Sequence, residues 1–153
     1  MSDLTDLYQE IILDHNRQPR NFAVLDHPDH QAEGHNPLCG DKVTVYLKLD
    51  GDRLQEVTFQ GNGCAISQAS ASLMTEALRG KTRAEARHLF DLFHQLLTGS
   101  DEQRLTAEAE LGKLGALGGV SEYPMRVKCA TLAWHTLRTA LDQASPAGTG
   151  AAS

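Results

Sequence analysis

Three cysteines and one aspartate are the residues of this 153-residue chain best suited to chemistry: Cys39, Cys64 and Cys129, with Asp41 two residues after the first. An odd number of cysteines leaves one thiol over in any disulfide framework, and a reducing compartment keeps all three as thiols. In extended chain Cys39 and Asp41 point to one side and can share a ligand. Three thiolates and one carboxylate make a closed tetrahedral set for zinc. Such a set carries excess negative charge, which Arg126 and Lys128, just before Cys129, are placed in sequence to offset. Cys64 falls where a helix begins, and the partial positive charge and free N–H groups there favour thiolate. Gly40, Gly61 and Gly63 would let backbone approach an ion closely. Against this, separations of 25 and 65 residues are not zinc-finger spacing and no Cys-x-x-Cys pair occurs. Free cysteine is also often just a small buried hydrophobe. Spacing alone leaves both readings open.

Other groups carry less. The cluster His27-Pro28-Asp29-His30 has no repeated ligand spacing and reads as a solvated loop, and His35 reads as an exposed loop residue near Cys39. Gly61-Asn62-Gly63 before a helix has the look of an anion-binding turn but lacks a Walker lysine. Ser67, Ser70 and Ser72 read as small residues for helix packing, and Trp134 and His135 as packing residues of the last helix.

The elements that must position the cysteines follow from periodicity. Leu4, Leu7, Tyr8, Ile11 and Ile12 predict an amphipathic helix to about His15, with Ser2 as a cap. Residues 16–37, rich in proline and polar side chains, read as a long irregular connection. Alternation in 42–49 and 54–59 around Asp50-Gly51 predicts a β-hairpin, with Leu54, Glu56 and Thr58 on one face and Gln55, Val57 and Phe59 on the other. Gly61-Asn62-Gly63 ends the second strand, and a buried helix runs from Ala65 to Leu78. Thr82-Arg83-Ala84-Glu85 has capping-box spacing and opens another. Residues 98–122 hold at most a short helix near 102–110, and the last helix runs from about Pro124 to Leu141.

With 41% hydrophobic residues the chain can bury a core as one domain, residues 1–144, leaving a small-residue tail, 145–153, as disordered. A net charge of -6 disfavours nucleic acid as a partner. No apolar run approaches the ~18 residues of a membrane span, and the acidic N-terminus lacks the layout of a signal or transit peptide. A soluble cytoplasmic protein is expected.

Four segments together resemble a known family. Leu7-Tyr8 through Asp14-His15-Asn16-Arg17-Gln18-Pro19-Arg20-Asn21, then Asn36-Pro37-Leu38-Cys39-Gly40-Asp41, Gly61-Asn62-Gly63-Cys64-Ala65-Ile66-Ser67 and Arg126-Val127-Lys128-Cys129-Ala130-Thr131-Leu132 are similar to the signature segments of the IscU/SufU (NifU N-terminal-like) iron-sulfur cluster assembly proteins. The resemblance implies an α+β fold of the SufE/IscU kind, an antiparallel three-stranded sheet packed against several helices, with its third strand in the connection before Cys39. It implies Cys39, Asp41, Cys64 and Cys129 as metal ligands. The chain looks most like the SufU branch: the stretch between Cys64 and Cys129 is long, and Lys128 stands where IscU-type members have histidine. A protonated lysine cannot ligate a metal.

That branch implies a zinc-dependent acceptor of persulfide sulfur from a pyridoxal-phosphate cysteine desulfurase (SufS-like), serving downstream Fe-S assembly proteins or apo-acceptors. Cys39 is the implied acceptor, displaced from zinc by a partner histidine, and Arg126 balances charge. The competing reading is a scaffold that assembles and delivers a [2Fe-2S] cluster, with iron or a transient cluster in place of zinc, since thiolates suit both metals. A purely structural zinc domain is a third reading.

Overall fold

The computed structural model describes residues 3–36, 40–122 and 124–143. Helix α1 (Asp3–Arg17) leads into strands β1 (His30–Asn36), β2 (Asp41–Asp50) and β3 (Arg53–Asn62). Helices α2 (Ala65–Leu78), α3 (Arg83–Thr98) and α4 (Asp101–Leu111), a 3₁₀ segment (Gly112–Glu122) and helix α5 (Pro124–Gln143) follow. The strands make one antiparallel sheet in the order β1-β2-β3, so the α+β architecture expected from the resemblance is present. No helix among the described residues is long and apolar enough to cross a membrane.

The β2–β3 hairpin forms where alternation predicts it, but its parity is corrected by a bulge. Leu49 pairs with Leu54 and Lys48 with Glu56, so Gln55 is an extra residue on β3. One extra residue flips side-chain parity. Leu54, expected opposite Val57, is therefore buried in the same core, at 0% exposure each. Strand β3 also continues through Gly61 to Asn62, two residues into the expected Gly61-Asn62-Gly63 break.

The connection before Cys39 is less irregular than its composition indicates. His30–Asn36 has weak strand propensity and little apolar alternation, yet it pairs with β2 in continuous register from His30↔Leu47 to Asn36↔Asp41. Helix α5 crosses β1 so closely that a side chain at Gly34 would collide with Thr136 Oγ1. Upstream, Phe22 bridges to Phe59, with Ala23 N–H donating to Phe59 O and Phe59 N–H to Asn21 O, both at 3.0 Å.

The helices cover the sheet through α2 and α5. Small residues on α2 (Ala69, Ser70, Ala71, Ser72) are all buried and allow close approach. Trp134 of α5 is fully buried, stacks on Phe93 of α3 at 4.6 Å and donates from Nε1 to Ser70 Oγ at 3.2 Å. The α3 capping box at Thr82 and Glu85 is present as expected. Helix α1 extends to Arg17 rather than His15, and α5 to Gln143 rather than Leu141. Residues 98–122 carry more structure than expected, a full helix and a 3₁₀ segment. The Ser2 cap and the tail 145–153 lie outside the described residues.

Candidate metal centre

Three elements converge at one end of the sheet. Asp41 is the first residue of β2 and is 1% exposed. It is paired with Asn36 across the β1–β2 connection, which Gly40 N–H closes on Asn36 O at 2.8 Å. Cys64 is the N-cap of α2, with extended backbone at φ -71 and ψ 172, and its Sγ accepts from Ser67 N–H at 3.5 Å. A cysteine in this capping position points its sulfur at the free N–H groups of the first turn. Cys129 lies buried in the first half of α5.

One ligand atom from each of Asp41, Cys64 and Cys129 lies within 4.8 Å of the others. Asp41 Oδ1 accepts the backbone N–H of Cys64 at 3.0 Å, which ties the sheet ligand to the helix ligand. Among the described residues, buried Asp41 Oδ2 has no hydrogen-bond partner. A buried carboxylate oxygen without a partner, beside two sulfurs, is costly as it stands and is what a divalent cation would relieve. Two thiols and a carboxylate are also a ligand set suited to zinc, or to iron with sulfide. The donor set therefore fits a metal.

The expected residues are distributed as follows. Asp41, Cys64 and Cys129 are brought together. Cys39 lies outside the described residues, in the four-residue connection that joins the paired Asn36 and Asp41. Arg126 and Lys128 are exposed on α5. His35 is an exposed strand residue opposite Lys42 rather than a loop residue. His27 is exposed, His30 pairs with Leu47 in β1, and Asp29 Oδ2 accepts Leu49 N–H at 2.6 Å, so that cluster finishes the sheet edge.

Sequence reading missed two features. It gave no sign that Asp41 would bond to the N–H of Cys64, because that contact spans 23 residues. It also read Ser67 as helix packing, whereas Ser67 faces Gly63 and the ligands; the signal available was its i+3 spacing from an N-cap cysteine.

Residues 7–142 match the NifU-like N terminal domain. The chain is 38% identical to the iron-sulfur cluster assembly scaffold protein IscU of Streptococcus pyogenes serotype M1, over 96% of this chain and 90% of that protein. It is 40% identical to the zinc-dependent sulfurtransferase SufU of Bacillus subtilis (strain 168), over 89% of this chain and 90% of that protein. The crystal structure of FiSufU from Fervidobacterium islandicum AW-1 superposes with a TM-score of 0.77 at 37% identity, covering 86% of this chain and 94% of that one. Matched by that family model over residues 7–142 and by these relatives along nearly its whole length, the chain belongs to the IscU/SufU family of NifU N-terminal-like iron-sulfur cluster assembly proteins.

Proposed function

We propose that this protein is a zinc-dependent acceptor of persulfide sulfur from a pyridoxal-phosphate cysteine desulfurase of the SufS kind, and that it passes the sulfur on for iron-sulfur cluster assembly. The observation that carries this reading is the convergence of Asp41, Cys64 and Cys129 within 4.8 Å at the end of the sheet where the chain passes through Cys39. Its relative in Bacillus subtilis is named a zinc-dependent sulfurtransferase.

Each residue has a part. Asp41, Cys64 and Cys129 are anchored on a strand, a helix cap and a helix interior, and they are the ligands that hold position. Cys39 belongs to a short connection between strands and is the proposed acceptor. Its thiolate attacks the outer sulfur of the desulfurase persulfide; the sulfur–sulfur bond on the desulfurase breaks, the desulfurase cysteine leaves as a thiolate, and Cys39 carries the new persulfide with no net redox change. Zinc, when bound, would keep the thiols deprotonated at neutral pH and shielded until docking. Arg126, exposed on α5 three residues before Cys129 in sequence, is the cation assigned in this reading to offset the anionic site. Apo-acceptors or further assembly proteins would take the sulfur next.

A second reading, a scaffold that holds a [2Fe-2S] cluster as cargo, is supported by the name of the Streptococcus relative and by the softness of thiolate ligands. Lys128 favours sulfur transfer, since it is exposed beside Cys129 and offers no lone pair while protonated.

Incubation of the purified protein with a cysteine desulfurase and cysteine, before and after zinc removal, separates the two. Sulfur transfer predicts zinc-dependent stimulation of turnover, lost in Cys39→Ala, without stable cluster absorbance. A reconstituted cluster delivered intact to an apo-acceptor, with Cys39→Ala still stimulating in the zinc form, would replace this reading with the scaffold.

A further inference from the structure

The first turn of α2 contains a second layer to the metal centre. A Cβ placed on Gly63 would meet Ser67 Oγ at 2.9 Å, Ser67 Cβ at 3.0 Å and Asp41 Oδ1 at 3.1 Å. Ser67 and the Asp41 carboxylate therefore close on the same point, one that is free only because residue 63 has no side chain. The backbone of Gly63 does not occupy the left-handed region, unlike Gly61 at φ 149, so what Gly63 supplies is space rather than conformational freedom. Ser67 is 6% exposed, and its own N–H is bonded to Cys64 Sγ. A second tie holds the same turn: Gln68 Nε2 donates to Gly61 O at 3.3 Å.

We propose that Ser67 is a positioning residue of the metal centre: packed with Asp41 around the missing side chain of Gly63, it fixes the carboxylate against Cys64 N–H and leaves Asp41 Oδ2 as the oxygen available to a metal. The proposal rests on the metal-centre reading above and adds a residue to it. Its consequence lies in the nature of the ligand. Among soft thiolates the carboxylate is the hard ligand, hence the bond to a soft or borderline metal most easily lost and most dependent on being held in place. Outer-shell contacts of this kind commonly govern metal affinity by about 10–100-fold.

The test uses the full chain and measures Zn²⁺ affinity by chelator competition, the visible spectrum of the Co²⁺-loaded protein, and the thermal midpoint of the metal-free protein. Gly63→Ala is expected to lower Zn²⁺ affinity at least about 10-fold, the lower end of outer-shell effects, and to alter the Co²⁺ ligand-field bands as the oxygen ligand is displaced. Ser67→Ala is expected to lower affinity by less. Because it removes the atom nearest the new methyl group, Gly63→Ala should cost less in the Ser67→Ala background than alone. The metal-free midpoints should stay close to wild type, and Gly61→Ala serves as the contrast, since its Cβ would strike the Lys42 carbonyl and disturb strand pairing. Wild-type affinity and spectra in both Gly63→Ala and Ser67→Ala would overturn the proposal, as would additive losses that follow the metal-free midpoints. If the wild type itself binds neither ion, the metal-centre reading fails instead.

Discussion

Helix α2 carries two buried polar clusters, and they differ in how completely they are satisfied. At its N-terminus, Asp41 Oδ2 has no hydrogen-bond partner among the described residues, and two sulfurs lie near the carboxylate. Two turns further on, roughly 12 Å along the axis at 1.5 Å per residue, Ser72 and Thr75 meet the chain that follows α1. There Ser72 Oγ bonds His15 Nδ1 at 2.7 Å and accepts Arg20 N–H at 2.8 Å. Thr75 Oγ1 accepts from Asn21 Nδ2 at 3.1 Å and donates to Ser72 O at 2.8 Å. Arg20 reaches back to Asp14 at 2.6 Å, and the guanidinium holds that carboxyl below its ordinary pKa. The second cluster is a latch, complete as folded; the first is complete only with something added. Buried polar groups are normally paired, so the orphaned oxygen marks the site and the closed network marks structure.

The largest test of this contrast is Asp41→Asn. The amide keeps an oxygen to accept Cys64 N–H but removes the carboxylate charge. Zinc affinity by chelator competition is expected to fall more than about 100-fold, beyond what outer-shell changes produce. The metal-free variant should be at least as stable as the metal-free wild type, because a buried carboxylate oxygen without a hydrogen-bond partner among the described residues is gone. Marked destabilisation of metal-free Asp41→Asn would show that the carboxylate is already satisfied and would erase the distinction between the clusters.

Ser72→Ala is the converse. It strips partners from His15 Nδ1 and Arg20 N–H, the first in a residue only 2% exposed, and should cost about 1–3 kcal/mol in urea unfolding. Zinc affinity should be that of the wild type, since none of these contacts includes a ligand. A parallel loss of zinc affinity would mean that the latch and the centre are one unit.

Much of this was legible in the chain and part was not, for reasons that lie in particular residues. Alternation in Val43, Val45 and Leu47 and the capping box at Thr82 are local signals, and both elements are where those residues place them. Strand β1 is non-local: His30-Gln31-Ala32-Glu33-Gly34-His35-Asn36 becomes a strand only through pairing with β2 and cover from α5, so it entered through family resemblance alone. The bulge at Gln55 leaves no mark in a pattern of period two. The segment Asp14–Asn21 carried much of the resemblance, yet its side chains bond to α2 and to one another; its likeness to the family reads the latch, not the ligands. Of the three residues that converge, Cys64 and Cys129 were legible because cysteine is chemically distinctive and Asp41 through its place two residues after Cys39, whereas Ser67 and Gly63 are common packing residues whose proposed role depends on geometry.

Acid supplies the smallest and most selective test. The pKa of His15 lies below its ordinary 6.5, first because the ring is buried and next because Arg20 is near, with Glu76 and Asp14 opposing and Lys113 adding to the depression. A depressed folded-state pKa means that the unfolded chain takes up the proton more readily. The latch's contribution is therefore full above about pH 6.5, the unfolded value, and is lost as pH falls through the lower folded value. His135 is depressed in the same direction by burial, then by His94 and Arg138, so two histidines share the slope. Urea midpoints of the metal-free protein between about pH 7.5 and 5.5 should fall with acid, and less steeply in His15→Gln. Zinc affinity also falls with acid, but through protonation of its own ligands. That second dependence should be identical in His15→Gln and wild type; a difference there would couple the two ends of α2 and break the comparison.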